Sequence, residues 1–121
     1  MKAVNIAVIL LLCSLTFVVA NSLSLTAIID DVIEKTENTD DNEVNLKETY
    51  EEIYSEFESK MTYISLTVNH EDLTSITDAF AELIGTLEAE DQTSFVAVKS
   101  RLISSLKHIR RLAGINIDSI L

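Results

Sequence analysis

Apolar residues recur at intervals of three and four in four stretches of the chain, which is the period of an amphipathic helix. These stretches span 24–37, 44–68, 70–89 and 92–113. The third is the most regular, and its apolar residues are Leu73, Ile76, Phe80, Leu83 and Leu87. The pattern therefore predicts four helices over these ranges.

The second stretch is the longest, with a stripe that runs from Leu46 to Val68. Its last part, 62–68, is rich in β-branched residues, which also favour a strand. No other segment offers a convincing partner strand. We therefore assign the whole of 44–68 to one helix.

Polar residues between the stretches predict where the helices begin. Asn45, or alternatively Asn42, precedes the second helix as an N-cap, and Asn69 precedes the third. Asp91 or Thr93 precedes the fourth. Asn and Asp suit this position because their side-chain oxygens accept hydrogen bonds from the free N–H groups of the first turn.

The chain has two glycines and no proline, a scarcity of turn residues that favours helices over a sheet. Gly114 follows the last apolar position of the fourth helix, so we expect it to act as the C-cap. The apolar tail 115–121 is then expected to fold back on the body. Gly85 lies inside the third helix and predicts a close approach by a neighbouring helix.

Residues 36–42 form an acidic linker without an apolar residue, and the later connections are short. Short connections make consecutive helices antiparallel neighbours. The predicted fold class is all-α: a compact antiparallel helical bundle of three long helices plus one short N-terminal helix.

The first twenty residues differ from the rest, because after Lys2 no charge occurs from Ala3 to Ala20. A positive start, an apolar run and small residues before a cut after Ala20 are typical of a cleaved secretory signal peptide. The alternative is a transmembrane helix, since the run approaches the roughly 20 residues that span a bilayer. No basic cluster follows the run, which favours the signal peptide. We therefore expect a signal peptide over 1–20 and a secreted, extracellular domain over 21–121.

Cleavage after Ala20 removes Cys13, the only cysteine. The mature chain then has no disulfide, although small secreted domains usually depend on them. It must rely on dense apolar packing, on oligomerisation or on a ligand.

The chain has 20 acidic and 9 basic residues, for a net charge of −11. This field excludes binding to nucleic acid through overall charge. The segment 92–117 nevertheless contains no acid, and its five bases are Lys99, Arg101, Lys107, Arg110 and Arg111. We expect these bases to meet the acidic helices beside them. The alternative is a face for a protein partner, or for peripheral contact with a membrane.

Aromatic residues and methionine crowd the second helix, and a further ring lies on the third. The set is Tyr50, Tyr54, Phe57, Met61 and Phe80. The favoured interpretation is that Tyr50, Phe57 and Met61, which lie on the apolar stripe of the second helix, belong to the core. The alternative is the lining of a pocket for a small apolar ligand, since bundles hold such pockets between their helices.

No residue pattern indicates chemistry. His70, Glu71 and Asp72 are consecutive and point to different sides of a helix, so they do not converge on one metal ion. The other histidine, His108, lies among bases. A nucleophile elbow and a phosphate-binding glycine loop are both absent. We predict no catalytic, cofactor or metal site, and no enzyme activity.

This overall plan resembles the small secreted α-helical proteins of insect glands, of the male accessory-gland (seminal-fluid) or salivary type. The resemblance covers the whole chain and rests on no single motif. The leading functional hypothesis is a secreted, non-enzymatic interaction protein that acts through helix faces on a protein partner or by self-association. The alternatives are an extracellular carrier of a small apolar ligand and a membrane-active factor with a basic C-terminal helix.

Overall fold

The computed structural model describes the backbone of residues 2–65 and 68–120, and their side chains except those of Ser22 and residues 114–120. Every regular element in these ranges is helical, so the chain is all-α. The elements are α1 (Lys2–Asn38), α2 (Leu46–Ser59), α3 (Met61–Ser65), α4 (His70–Glu88) and α5 (Gln92–Ile120).

The helices α1, α2, α4 and α5 pack around one core, with the most extensive contacts between α5 and its neighbours α1 and α4. The α1–α5 pair is antiparallel, because Asp30 faces Arg110 while Glu37 faces Lys107. All four helices contribute side chains with no exposed surface. Examples are Ile29, Phe57, Phe80, Leu102 and Leu106.

The first helix is longer than the predicted 24–37, since α1 runs without a break from Lys2 to Asn38. The predicted linker 36–42 accordingly starts too early. Thr36 is buried in α1, and its hydroxyl donates to the Val32 carbonyl at 2.8 Å. This bond satisfies the polar group inside the helix, so its polarity does not end the helix.

The predicted single helix over 44–68 is wrong, because α2 ends at Ser59. The Lys60 N–H donates to the Phe57 carbonyl at 3.1 Å and closes the last turn with a bond of three-residue spacing. The short α3 then directs Ile64 into the core. It also brings the Tyr63 hydroxyl to the Asn21 carbonyl at 3.2 Å. Residues 66 and 67 of the predicted helix lie outside the described residues.

Both glycine predictions are wrong. Gly114 lies inside α5, which continues to Ile120, so the backbone of 115–120 is helical and does not fold back. Residue 121 lies outside the described residues. At Gly85 an added Cβ would meet no atom within 4 Å, so no close helix approach requires this glycine.

The predicted N-caps of the last two long helices are confirmed. The Asn69 side chain accepts from the Glu71 N–H at 2.9 Å, and Asp91 accepts from the Ser94 N–H at 3.1 Å. Asn45 occupies the N-cap position of α2, but its side chain makes no capping bond.

Candidate functional site

Four of the five bases on α5 form ion pairs with carboxylates from other parts of the bundle. We call these four pairs the ion-pair ladder: Lys99–Asp41, Arg101–Glu82, Lys107–Glu37 and Arg110–Asp30. Asp30 and Glu37 lie on α1, Glu82 on α4, and Asp41 in the connection before α2. The ladder therefore ties α5 to both of its neighbours.

The pairs differ in how far they are buried. Lys99 is the most enclosed base, with 15% of its side chain exposed and its Nζ 2.6 Å from Asp41 Oδ1. The Lys107 side chain, at 2.9 Å from Glu37, is 55% exposed. Ion pairs as exposed as the latter contribute only about 0 to 1 kcal/mol each. The ladder therefore orients α5 more than it stabilises the fold.

Arg111 is the exception among the five bases. Its side chain is exposed and forms no ion pair with the described residues. The structure thus brings Lys99, Arg101, Lys107 and Arg110 into contact with acids, and leaves Arg111 in solvent.

The acidic partners of the ladder are the residues that the sequence did not single out. Asp30 and Arg110 are 80 positions apart, and Lys99 and Asp41 are 58 apart. Acidic residues occur throughout 30–91, so local spacing distinguishes none of these four from the rest. Only the antiparallel packing of the helices selects them.

The proposed apolar-pocket residues come together as packed core. The ring centroids of Tyr54 and Phe80 are 5.2 Å apart, and those of Phe57 and Phe80 are 5.7 Å apart. Tyr50 contacts Phe95 instead, at 5.9 Å and nearly edge to face. Met61 is half-buried against the same core. These separations are those of directly packed rings.

Tyr50, Phe57 and Phe80 have no surface that a water molecule can reach. An internal cavity large enough for a ligand would leave part of its lining accessible, so these three rings enclose none. Two grooves of about 520 and 410 Å³ lie elsewhere, one beside Lys35 and Glu52 and the other beside Glu43 and Asp91. Polar and charged side chains form most of their walls, which suits an apolar ligand poorly.

Tyr54 is the one tyrosine of this group that reaches the surface. Burial raises the pKa of its hydroxyl, and a hydrogen bond with Glu58 raises the pKa further. Tyr54 therefore stays protonated and points its polar end at the acidic outer side of α2.

A lysine also links α1 to α2. The Lys35 Nζ donates to Glu56 at 2.6 Å and lies 3.1 Å from Asp31. The hydrogen bonds with these two carboxylates raise the pKa of Lys35, and the bond with Lys35 lowers the pKa of Glu56. Lys35 thus pairs with one acid on α1 and one acid on α2.

His70, Glu71 and Asp72 occupy the first turn of α4. No group of three or more metal-capable side chains gathers among the described residues. Asp72 faces His108 across the α4–α5 seam at 3.9 Å. That pair is charged only when the histidine is protonated.

The N-terminal part of α1 lies outside the bundle. Val4, Leu10 and Phe17 are 64%, 61% and 69% exposed, and the most apolar window of the helix has no buried residue. By length and composition α1 can cross a membrane, a property that signal sequences share. Among the side chains that the structure describes, Leu25 is the first buried one.

Comparison with known proteins gave no significant match to any protein-family model, curated protein or solved structure.

Proposed function

We propose that this chain is a secreted, non-enzymatic interaction protein that acts through its helix faces on a protein partner or by self-association. The observation that carries the proposal is the distribution of unpaired charge. On the outer sides of α2 and α4, Glu48, Glu52, Glu71 and Asp78 are exposed and form no ion pair within the described part of the chain. The cations of α5, in contrast, are mostly paired.

We call these four unpaired carboxylates, Glu48, Glu52, Glu71 and Asp78, the acidic face. Such a face suits a partner with a basic surface. Charge complementarity raises association rates and selects partners more than it adds affinity. The filled aromatic core adds support, because it leaves the surface as the place where the protein can recognise another molecule.

Secretion is supported by the position of residues 2–20. They extend beyond the bundle, so a cut after Ala20 removes no buried residue and keeps the buried residues Leu25, Ile29 and Val32. We propose that the mature chain 21–121 retains the antiparallel bundle, with its first helix shortened to 21–38. A retained transmembrane helix would place the same body on the exported side, because the positive end at Lys2 favours the cytoplasm.

N-terminal sequencing of the exported protein tests this processing. We expect the mature protein to begin at Asn21 or within two residues of it. An intact N-terminus at Met1, recovered in the membrane fraction, would contradict the signal-peptide proposal.

The partner proposal is tested by native mass spectrometry of the protein purified from its source. A second polypeptide or a multimer is expected. Extra mass from a small apolar molecule would instead favour a carrier, and a bare monomer at all accessible concentrations would contradict the interaction proposal. A variant with Glu48→Gln, Glu52→Gln, Glu71→Gln and Asp78→Asn is expected to lose the second polypeptide.

A matched variant neutralises four carboxylates that already have cationic partners: Asp30→Asn, Glu37→Gln, Asp41→Asn and Glu82→Gln. It changes the net charge by the same amount but leaves the acidic face intact. We expect it to keep the second polypeptide. Equal loss of binding in both variants would show that net charge alone, and not this face, recruits the partner.

A further inference from the structure

The turn between α4 and α5 holds a glutamate in a conformation that suits glycine. Glu90 has a φ of 54°, the one positive φ of a non-glycine residue in the described chain. The Glu90 N–H donates to the Leu87 carbonyl at 3.2 Å, and the Asp91 N–H to the Thr86 carbonyl at 3.0 Å. These two bonds define a Schellman motif, in which the left-handed position is usually glycine.

The local sequence at this turn favours a different structure. Ala89 and Glu90 are strong helix formers, and no glycine or proline interrupts 86–92. Apolar residues continue at helical spacing on both sides, from Leu83 and Leu87 to Phe95 and Val98. A straight helix through 89–91 would remove the unfavourable φ of Glu90. The bend is therefore maintained by the packing of α5 against α1 and α4, which requires α5 to fold back.

Every copy of the chain has the same α1 and α4 surfaces on which α5 packs. The inner side of α5 buries Phe95, Leu102, Leu106 and Ile109 against the bundle. The ion-pair ladder supplies additional contacts that match α5 to α1 and α4. A second copy with its own α5 displaced would offer the same surface and the same carboxylates.

We infer that the chain self-associates by exchanging α5 between two copies, with 89–91 as the hinge. In the exchanged dimer α4 and α5 form one continuous helix, and each α5 packs against α1 and α4 of the other copy. Short strained hinges favour this type of exchange, and the two-fold dimer that results closes on itself. The inference rests on the self-association form of the proposed function and names the partner as a second copy.

The first experiment changes the hinge. The exported protein is unfolded in denaturant, refolded over a range of concentrations, and its dimer fraction is measured by sedimentation velocity. Glu90→Gly is expected to lower the dimer fraction severalfold, because glycine accepts the positive φ of the monomer. Asp91→Ala is expected to raise it severalfold, because it removes the cap of α5 and favours a continuous helix.

The control for lost stability is Asn69→Ala, which removes the cap of α4 away from the hinge. It is expected to destabilise the monomer without raising the dimer fraction above that of the wild type. An equal rise in Asn69→Ala and Asp91→Ala would overturn the hinge inference, since general destabilisation would then explain both.

The second experiment tests whether α5 is the exchanged element. One variant carries Asp30→Arg and Glu37→Lys, and the other carries Lys107→Glu and Arg110→Asp. Each places like charges together within its own chain. In an exchanged heterodimer one interface has both pairs reversed and the other has both pairs native, so all ion pairs are restored.

The two variants are mixed in denaturant, one of them isotopically labelled, then refolded and weighed by native mass spectrometry. A ratio of heterodimer to homodimers severalfold above its statistical value is expected. A statistical mixture of dimers would show association without exchange of α5. A wild-type protein that is monomeric at every concentration would overturn the inference, while a second polypeptide in the source material would still support the proposed function.

Discussion

At Glu90 the backbone adopts a left-handed conformation, with a φ of 54°. Side chains other than glycine disfavour it by about 1 to 2 kcal/mol, because the Cβ crowds the following carbonyl. The two hydrogen bonds of the turn and the packing of α5 hold this residue in place. Glu90 is therefore a site where global packing overrides a local preference.

Glu90→Gly should raise the free energy of unfolding by about 0.5 to 1 kcal/mol, because relief of the strained φ exceeds the greater chain entropy of glycine in the unfolded state. Urea unfolding followed by circular dichroism measures the change. Glu52→Gly on the exposed side of α2 is the matched control, and it should lower stability by about 1 kcal/mol. The idea of strain at Glu90 fails if both substitutions destabilise.

At Gly85 the chain has a glycine where the helix would favour another residue. The glycine lies inside α4, and an added Cβ there meets nothing within 4 Å. Gly85→Ala should therefore raise the free energy of unfolding by about 1 kcal/mol, since alanine restricts the unfolded chain and favours the helix. Thermal unfolding of the variant beside the wild type provides the measurement. A lower melting temperature would contradict the open space beside Gly85.

At the scale of elements, the caps of α4 and α5 define where these helices begin. Asp91 accepts hydrogen bonds from the Ser94 N–H and from its hydroxyl, the latter at 2.6 Å. These bonds lower the pKa of the Asp91 carboxyl below its ordinary value of 3.8. A negative charge at this position also interacts favourably with the positive end of the helix dipole.

Because the pKa of the Asp91 carboxyl is lowered in the folded state, the stability of the protein depends on pH. The charged cap stabilises the fold above the ordinary pKa of 3.8, and this contribution disappears as the pH falls through the lower folded value. Asp91→Asn keeps an oxygen acceptor without the charge. Wild type should therefore be more stable than Asp91→Asn near neutral pH, with the difference shrinking below about pH 4. Unfolding curves of both proteins across this range supply the test; a constant difference would exclude the carboxylate charge as its cause.

At the scale of the whole molecule, an acidic body is attached to one basic helix through the ion-pair ladder. Acids outnumber bases in the chain by 20 to 9. We therefore expect repulsion among the remaining carboxylates to exceed the attraction within the ladder. Because salt screens both over a Debye length of about 10 Å at 0.1 M, moderate salt should stabilise the wild-type protein.

Removal of two ladder bases should show the attraction directly. We expect Lys107→Gln with Arg110→Gln to lower stability in low salt by up to about 2 kcal/mol, and part of this loss should disappear as salt rises. Arg111→Gln removes a neighbouring charge that has no ion pair, so it should change stability by less than about 0.5 kcal/mol. Thermal unfolding at low and moderate salt compares the three proteins. If the double variant matches Arg111→Gln, the ladder contributes nothing measurable.

The sequence by itself determined the all-α class, the two later N-caps and the charge asymmetry. These follow from short-range rules: the 3.6-residue period aligns Leu73, Ile76 and Phe80, and an Asn or Asp oxygen reaches the next two or three N–H groups. Such effects act within one or two turns, so the residues that cause them are visible in a short window. The same window placed Tyr50, Phe57 and Phe80 on apolar stripes.

The tertiary structure alone decided where the second helix breaks, which carboxylates face the bases of α5, and that Glu90 rather than a glycine makes the last bend. Each depends on residues far apart in the chain, as with Tyr63 and Asn21 or with Arg110 and Asp30. Local propensity at 60, 90 and 114 favours other outcomes by only about 1 kcal/mol per residue. Burial of one large apolar side chain contributes about 1.5 to 3 kcal/mol, so packing determines the structure where the two disagree.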